Sequence, residues 1–323
     1  MTNTEIYKKT LGFSIRKLLV DILSFILFVG LCAAGYVIFD KATDMGLLGL
    51  LIGLVVGLIV VILISRFVSY KLKAGQIAMM TRGVTENSLP DNVIAEGKAV
   101  VKERFATVAA YFAITSVIKG IFNQLGRAIT RVGEAIGGDT GSAIGSTIST
   151  VIQVIVSYLC DCCLGWVFYR KEISAPKATC EGAVIFFKHG KTLAKNLGRV
   201  FGLGLLSLLI VGGIFGGIAY LIFSSFGTAF QTLAAEITEA AARGEVNIPP
   251  ILQDPKTLML VAAGLVGLIF WSFIHSTFIR PFVLTGVLRN YMESGKNDIP
   301  SEESFRMLDS KSAKFAKLHR EAL

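Results

Sequence analysis

The chain has 323 residues, 53% hydrophobic and 17% charged, with a mean hydropathy of +0.64 and a formal net charge of +9. Soluble domains carry about 25% charged residues, so this composition excludes an ordinary globular domain and indicates a polytopic membrane protein. No soluble stretch is long enough to present the basic face that nucleic-acid binding needs, and the positive charge is assigned to membrane orientation instead.

A basic start, Lys8, Lys9, Arg16 and Lys17, precedes an apolar run at about 18–39. That run is too long for a signal-peptide core, and Asp21 interrupts it early, so it reads as an uncleaved first span. A short link leads to a second span, about 46–65, and forces an antiparallel hairpin. Gly49, Gly53 and Gly57 recur at four-residue spacing, giving one flat helical face where another backbone can approach. Arg66, Lys71, Lys73 and Arg82 mark a return to the cytoplasm, and Asn87-Ser88-Leu89-Pro90-Asp91 is a turn cluster.

The third span, about 105–122, is short and contains Lys119. Beyond it Ile118, Phe122, Leu125, Ile129, Val132 and Ile136 form one apolar stripe, which predicts that the span continues as an amphipathic helix. Gly137-Gly138-Asp139-Thr140-Gly141-Ser142 closes that helix as a loop, since a phosphate loop would need a preceding strand and a Gly-Lys-Ser/Thr ending. The fourth span, about 146–168, leads into a basic connector, 169–199. The fifth, about 200–226, carries Gly212, Gly213, Gly216 and Gly217, a doubled small-residue pattern suited to helix contact. A loop with a short helix and the breaker Ile248-Pro249-Pro250 precedes the sixth span, about 258–279. The expected fold is therefore all-α and polytopic, with about six transmembrane helices and amphipathic connector helices. Residues 1–290 form the transmembrane domain and 291–323 a cytoplasmic tail. With both termini, 66–104 and 169–199 inside, 26 of the 32 lysines and arginines face the cytoplasm, as the positive-inside rule requires. The cell membrane is the expected location.

Asp161 is the sharpest chemical signal. An Asp at mid-membrane costs about 2.5–3.5 kcal/mol on insertion scales and usually faces a partner or water. Asp21 and His275 fall near the inner ends of their spans, so the three define a candidate substrate or ion pathway, or else the latter two simply sit within reach of headgroup water. Tyr158, with Tyr36, Tyr111, Tyr220 and Trp271, could line a cation pocket or anchor and pack. Cys160 and Cys163 share a helix face and Cys162 does not; without further ligands the cluster reads as apolar packing rather than a metal site. No catalytic set, metal centre or cofactor motif is present among the three histidines, His189, His275 and His319, or elsewhere.

Several blocks in order resemble the choline transporter-like family of membrane proteins. They are the basic helix after a span, Leu63–Gly83 (LISRFVSYKLKAGQIAMMTRG), a third span that runs on as an amphipathic helix, and the cysteine-containing span with its exit, LCDCCLGWVFYRKE. The connector is the most similar part, with Cys180, Ala183, Phe186-Phe187-Lys188, Asn196, Arg199 and Val200. The chain departs from the family in having about six spans rather than about ten and in lacking the large extracellular loop, and Arg170-Lys171-Glu172-Ile173 replaces the family's polar connector start. The resemblance implies transport of a small organic cation or related solute. Two other readings stand beside it: an oligomeric, channel-like pore using the glycine-rich faces, and a non-transporting scaffold whose basic cytoplasmic loops hold anionic lipid headgroups or a protein partner. The bilayer is a partner in all three, and homo-oligomers are compatible with each.

Overall fold

In lipid every backbone N–H and C=O must be satisfied within its own segment, which leaves helices as the structure for apolar runs of this length. The computed structural model describes residues 1–43, 45–106, 108–137, 141–195, 197–243 and 249–322, with side chains 47, 108, 125–137, 141–152, 155, 190–195, 197–201 and 240 outside the description. Among the described residues all regular structure is helical. In chain order the helices are α1 (Asn3–Thr43), α2 (Gly46–Ile64), α3 (Tyr70–Glu86), α4 (Val93–Arg104), α5 (Val108–Gly137), α6 (Gly141–Tyr169), α7 (Ala175–Lys195), α8 (Leu197–Ser207), α9 (Gly213–Ser224), α10 (Gly227–Ala242), α11 (Pro255–Ile274), α12 (Arg280–Asn297), α13 (Glu302–Asp309) and α14 (Ala313–Ala322). Three π-helical segments, Ser65–Ser69, Leu208–Gly212 and His275–Ile279, lie between consecutive α-helices. The chain divides into two compact units, one of Met1–Gly198 with Pro281–Leu323 and one of Arg199–Arg280.

In the first unit, α1 has 41 residues. At 1.5 Å per residue that is about 60 Å, twice the roughly 30 Å of a hydrocarbon core. Its two halves differ accordingly. Ile6, Thr10, Phe13 and Ser14 are buried against protein, whereas Leu19, Leu23, Ile26 and Ile38 are exposed, the pattern of a lipid-facing surface. The same change occurs in the opposite direction along α2 and α3: Leu51, Val55, Ile59 and Ile62 are exposed, and from Ser69 to Thr81 most positions are buried. α1 and α2 cross in antiparallel register. A Cβ on Gly49 would collide with the Gly35 carbonyl, one on Gly53 would lie 2.9 Å from Cys32 Cα, and one on Gly57 would lie 2.8 Å from Phe28. The polar halves continue into a packed helical core in which α3 crosses α4 at Gly75 and Gly97, under Phe13. Asn87, with φ of 55°, ends α3 in the left-handed conformation that Asn tolerates.

The second unit repeats the hairpin device. A Cβ on Gly267 of α11 would strike the Gly212 carbonyl, and one on Gly216 would lie 3.4 Å from the Ala263 carbonyl. Phe215 and Phe270 stack with centroids 4.5 Å apart. α11 starts at Asp254, whose carboxylate accepts from the Thr257 hydroxyl and backbone N–H, both at 2.8 Å, and these bonds hold it below the usual carboxylate range.

Among the described residues four helices are long and apolar enough to cross, against the six spans expected: Asn3–Thr43, Leu48–Glu86, Gly202–Ser224 and Pro255–Asn297. A fifth arises only if Val93–Arg104 and Ala109–Gln124, bent by 82°, are taken together. The predicted span at 146–168 lies within α6, whose described apolar stretch, Val156–Tyr169, is shorter than a span. That stretch is covered by protein. Leu159, Cys162, Cys163, Trp166 and Val167 are fully buried. Around it Gly165 meets Leu288 of α12 and Thr81 of α3, and Gly182 of α7 meets Cys163 and Tyr291. The stretch at 291–323 packs in the same unit, with Tyr291, Leu308 and Phe315 buried. Of the predicted amphipathic stripe Ile118 and Phe122 are buried, while Leu125, Ile129, Val132 and Ile136 lie outside the described side chains, as does the 138–140 part of the predicted loop.

A buried carboxylate ties α6 to α7. Glu181 accepts from Trp166 Nε1 at 2.9 Å and from the Arg170 guanidinium at 3.1 Å, and Arg104 donates to the Arg170 and Ile173 carbonyls at 3.1 and 2.8 Å. Removing one partner of such a pair strands the other, at about 3 kcal/mol. Glu181→Ala is therefore expected to destabilise the protein by about that amount in detergent unfolding, and Glu181→Gln, which keeps an acceptor for Trp166, by less. At the hairpin, Gly49→Ala is expected to cost about 1–3 kcal/mol as overpacking. Gly217→Ala, where an added Cβ meets nothing within 4 Å, should leave the thermal midpoint unchanged.

Candidate functional site

The four-residue steps of the α1–α2 crossing, continued beyond Ile64, bring Lys17 level with the π-helical segment Ser65–Ser69. There the apolar layer ends and a cavity of about 250 Å³ opens. Lys17 comes from α1, Ser65 and Ser69 from the π segment, Tyr70 and Lys73 from α3. α5 adds Tyr111, Phe112, Thr115, Ile118 and Lys119, and α6 adds Cys160, Asp161 and Leu164. Ser65, Ser69 and Lys73 follow one another at four-residue spacing. The π segment contains an extra residue per turn and so resets the face that α3 presents relative to α2, an arrangement common at functional sites.

Asp161 is 5% exposed. Its Oδ1 lies 2.7 Å from the Lys73 ammonium, whose side chain keeps 40% of its surface. Lys17 pairs with Asp21 one turn further along α1. The Tyr70 and Tyr111 rings meet at 5.0 Å, and Arg66 sits over Phe112 at 5.7 Å. The lining thus holds three lysines and one aspartate, with Asp21 on Lys17 and Arg66 close by, so it carries a net positive charge.

The structure brings two of the sequence-predicted pathway residues toward one place: Asp161 lines the cavity, and Asp21 is held by Lys17, which also lines it. Tyr158 is buried one turn before Asp161 and does not line the cavity. His275 belongs to the second unit. Its Nδ1 lies 3.4 Å from Ser207 Oγ, which accepts from Trp271 Nε1 at 2.9 Å and donates to the Gly204 carbonyl at 2.7 Å. Ser207 and His275 stand at the starts of two π segments, and their bonds serve the α8–α11 contact. Among the predicted glycine contacts, Gly49, Gly53 and Gly57 face α1, and Gly212 and Gly216 face α11. Gly213 and Gly217 point away from it, with nothing within 4 Å of an added Cβ. The residues not singled out from sequence are the lysines: Lys73 and Lys17 read as orientation signals, and Lys119 as a blemish in a short span. A lysine inside an apolar run carries the same signal as Asp161.

Cys160 borders the cavity, and Cys162, Cys163 and Cys180 are buried. Burial, then the nearby Asp309 and Glu181 carboxylates, push the Cys180 thiol up to about 12, well above the ordinary 8.5 of a free thiol. The thiolate is the reactive form. A water-soluble maleimide at pH 8 is therefore expected to spare Cys162, Cys163 and Cys180 in the native protein and to reach all five cysteines after SDS unfolding. Native labelling of Cys180 would contradict this packing.

The fold is that of an all-α polytopic membrane protein. In comparisons with known proteins, the chain matches no family model, no curated protein and no solved structure.

Proposed function

We propose that the protein is a membrane scaffold that gathers anionic lipid headgroups at its cytoplasmic face, the non-transporting reading among the three. The observation that carries it is the excess of positive charge where the apolar layer of the first hairpin ends. Arg16, Arg66 and Lys71 are exposed there, and Lys17, Lys73 and Lys119 line the cavity. Each such cation near an anionic leaflet is worth about 1 kcal/mol.

Orientation follows the same logic. Both ends of the chain belong to one compact unit, where Arg289 donates to Asn3 Oδ1 at 2.6 Å and to the Met1 carbonyl at 2.8 Å. This supports termini on one side of the membrane. With four spans, 1–17, 66–199 and 280–323 all face the cytoplasm, and only Lys41, Arg243 and Lys256 of the 32 lysines and arginines lie elsewhere. That asymmetry exceeds the one obtained with six spans and supports a cytoplasmic placement. The cell membrane fits this assignment.

The transport reading, and with it the choline transporter-like resemblance, has one observation in its favour: Asp161 lines a cavity within a single chain. The lysines around it favour an anionic over a cationic solute. Reconstitution into mixed vesicles separates the readings. The scaffold predicts enrichment of anionic over zwitterionic lipid around the protein, weakened by salt, and no saturable uptake of small organic cations. Saturable cation uptake abolished by Asp161→Asn would overturn it.

A further inference from the structure

We infer that the Lys17–Lys73–Lys119 cavity seats a single phosphate oxyanion carried on a small polar group. This rests on the anionic-lipid reading above but goes beyond it, from general enrichment at a basic collar to one stoichiometric site. Three observations converge. The charge is positive: Lys17, Lys73 and Lys119 line the cavity against Asp161, with Asp21 holding Lys17, and the hydroxyl-bearing Ser65, Ser69, Tyr70 and Tyr111 belong to the same lining.

The size is selective. At about 250 Å³ the space falls below the roughly 300–1,000 Å³ of pockets for drug-sized ligands. That is room for a phosphate with a small polar substituent rather than for a bulky ligand. Finally, the position suits a lipid. Ser65 and Ser69 line the cavity while Phe67 and Val68 between them are 55% and 44% exposed. The polar pocket and the lipid-facing surface are thus adjoining sides of one π segment, so a headgroup could enter while its chains stay in the bilayer.

The test uses the full chain. In one arm the protein is placed in phosphatidylcholine nanodiscs containing phosphatidic acid, and retained lipid is counted by native mass spectrometry. In the other, inorganic phosphate and glycerol 3-phosphate are titrated against the detergent-solubilised protein and read as a thermal shift. The expected result is one retained phosphatidic acid per chain, weakened about tenfold by Lys119→Gln. Lys119 is exposed, so this variant should fold, and an unchanged unfolding midpoint without ligand confirms that it does. Lys71→Gln, in the collar but outside the cavity, should reduce bulk enrichment and spare the single lipid. Saturable, Lys119-dependent binding only in the second arm would assign the oxyanion to a soluble phosphate ester and keep the site. Absence of Lys119-dependent binding in both arms would overturn the inference. The scaffold reading fails separately, if anionic lipid is not enriched in mixed vesicles.

Discussion

The helices are longer than the membrane is thick, and the rest of the structure follows from that mismatch. α1, and α2 with α3, each run far past the roughly 30 Å of a hydrocarbon core. A lipid-exposed segment can remain apolar all round, but its continuation in water must bury what it keeps apolar. The continuation of α1 does so with Ile6 and Phe13, and that of α2 with Ile77, Met79 and Met80. The membrane hairpin and the packed helical core are thus opposite ends of the same two helices. The cavity lies where one regime passes into the other, and the π segment Ser65–Ser69 marks that level.

Much of this was legible in the sequence, and the rest was not for physical reasons. Apolar runs identified the two hairpins because lipid-facing helices are apolar on every side. α6 carries the same signal. Trp166, Val167, Leu159 and the cysteines make it apolar all round, yet protein rather than lipid surrounds them. Composition reports the absence of water, not what replaces it. Deleting one predicted span would reverse the connector, whereas deleting the third and fourth together leaves every downstream orientation unchanged, so the charge rule does not distinguish four spans from six.

The site was half legible. Asp161 stood out as an acid in an apolar run, and the structure gives it both a cavity and a cation. Lys73 did not stand out, because its partner lies on another helix far along the chain and its own surroundings are polar. No local pattern in Ser65–Ser69 announces a π turn either: each residue there is also compatible with an ordinary helix. The face that Tyr70 and Lys73 present depends on that extra residue, so reading α2 and α3 as one regular helix aims them wrongly. His275 was legible only as a histidine near a span end; within its own unit it lies 3.4 Å from Ser207 Oγ, and its ring meets that of Trp271 at 5.0 Å.

The role of Asp161 then becomes clearer. Like charges gathered around one small cavity repel, so three lysines there would be costly without a counter-charge. One buried carboxylate, bonded to Lys73, offsets part of that repulsion and fixes Lys73 in direction. It does not cancel the field: Lys17, held by Asp21 one turn along α1, and Lys119 also line the cavity. A second buried carboxylate would weaken that positive charge further; no carboxylate at all would leave the lysines to splay into water. The single aspartate holds the cavity between these limits, stable enough to form and still positively charged.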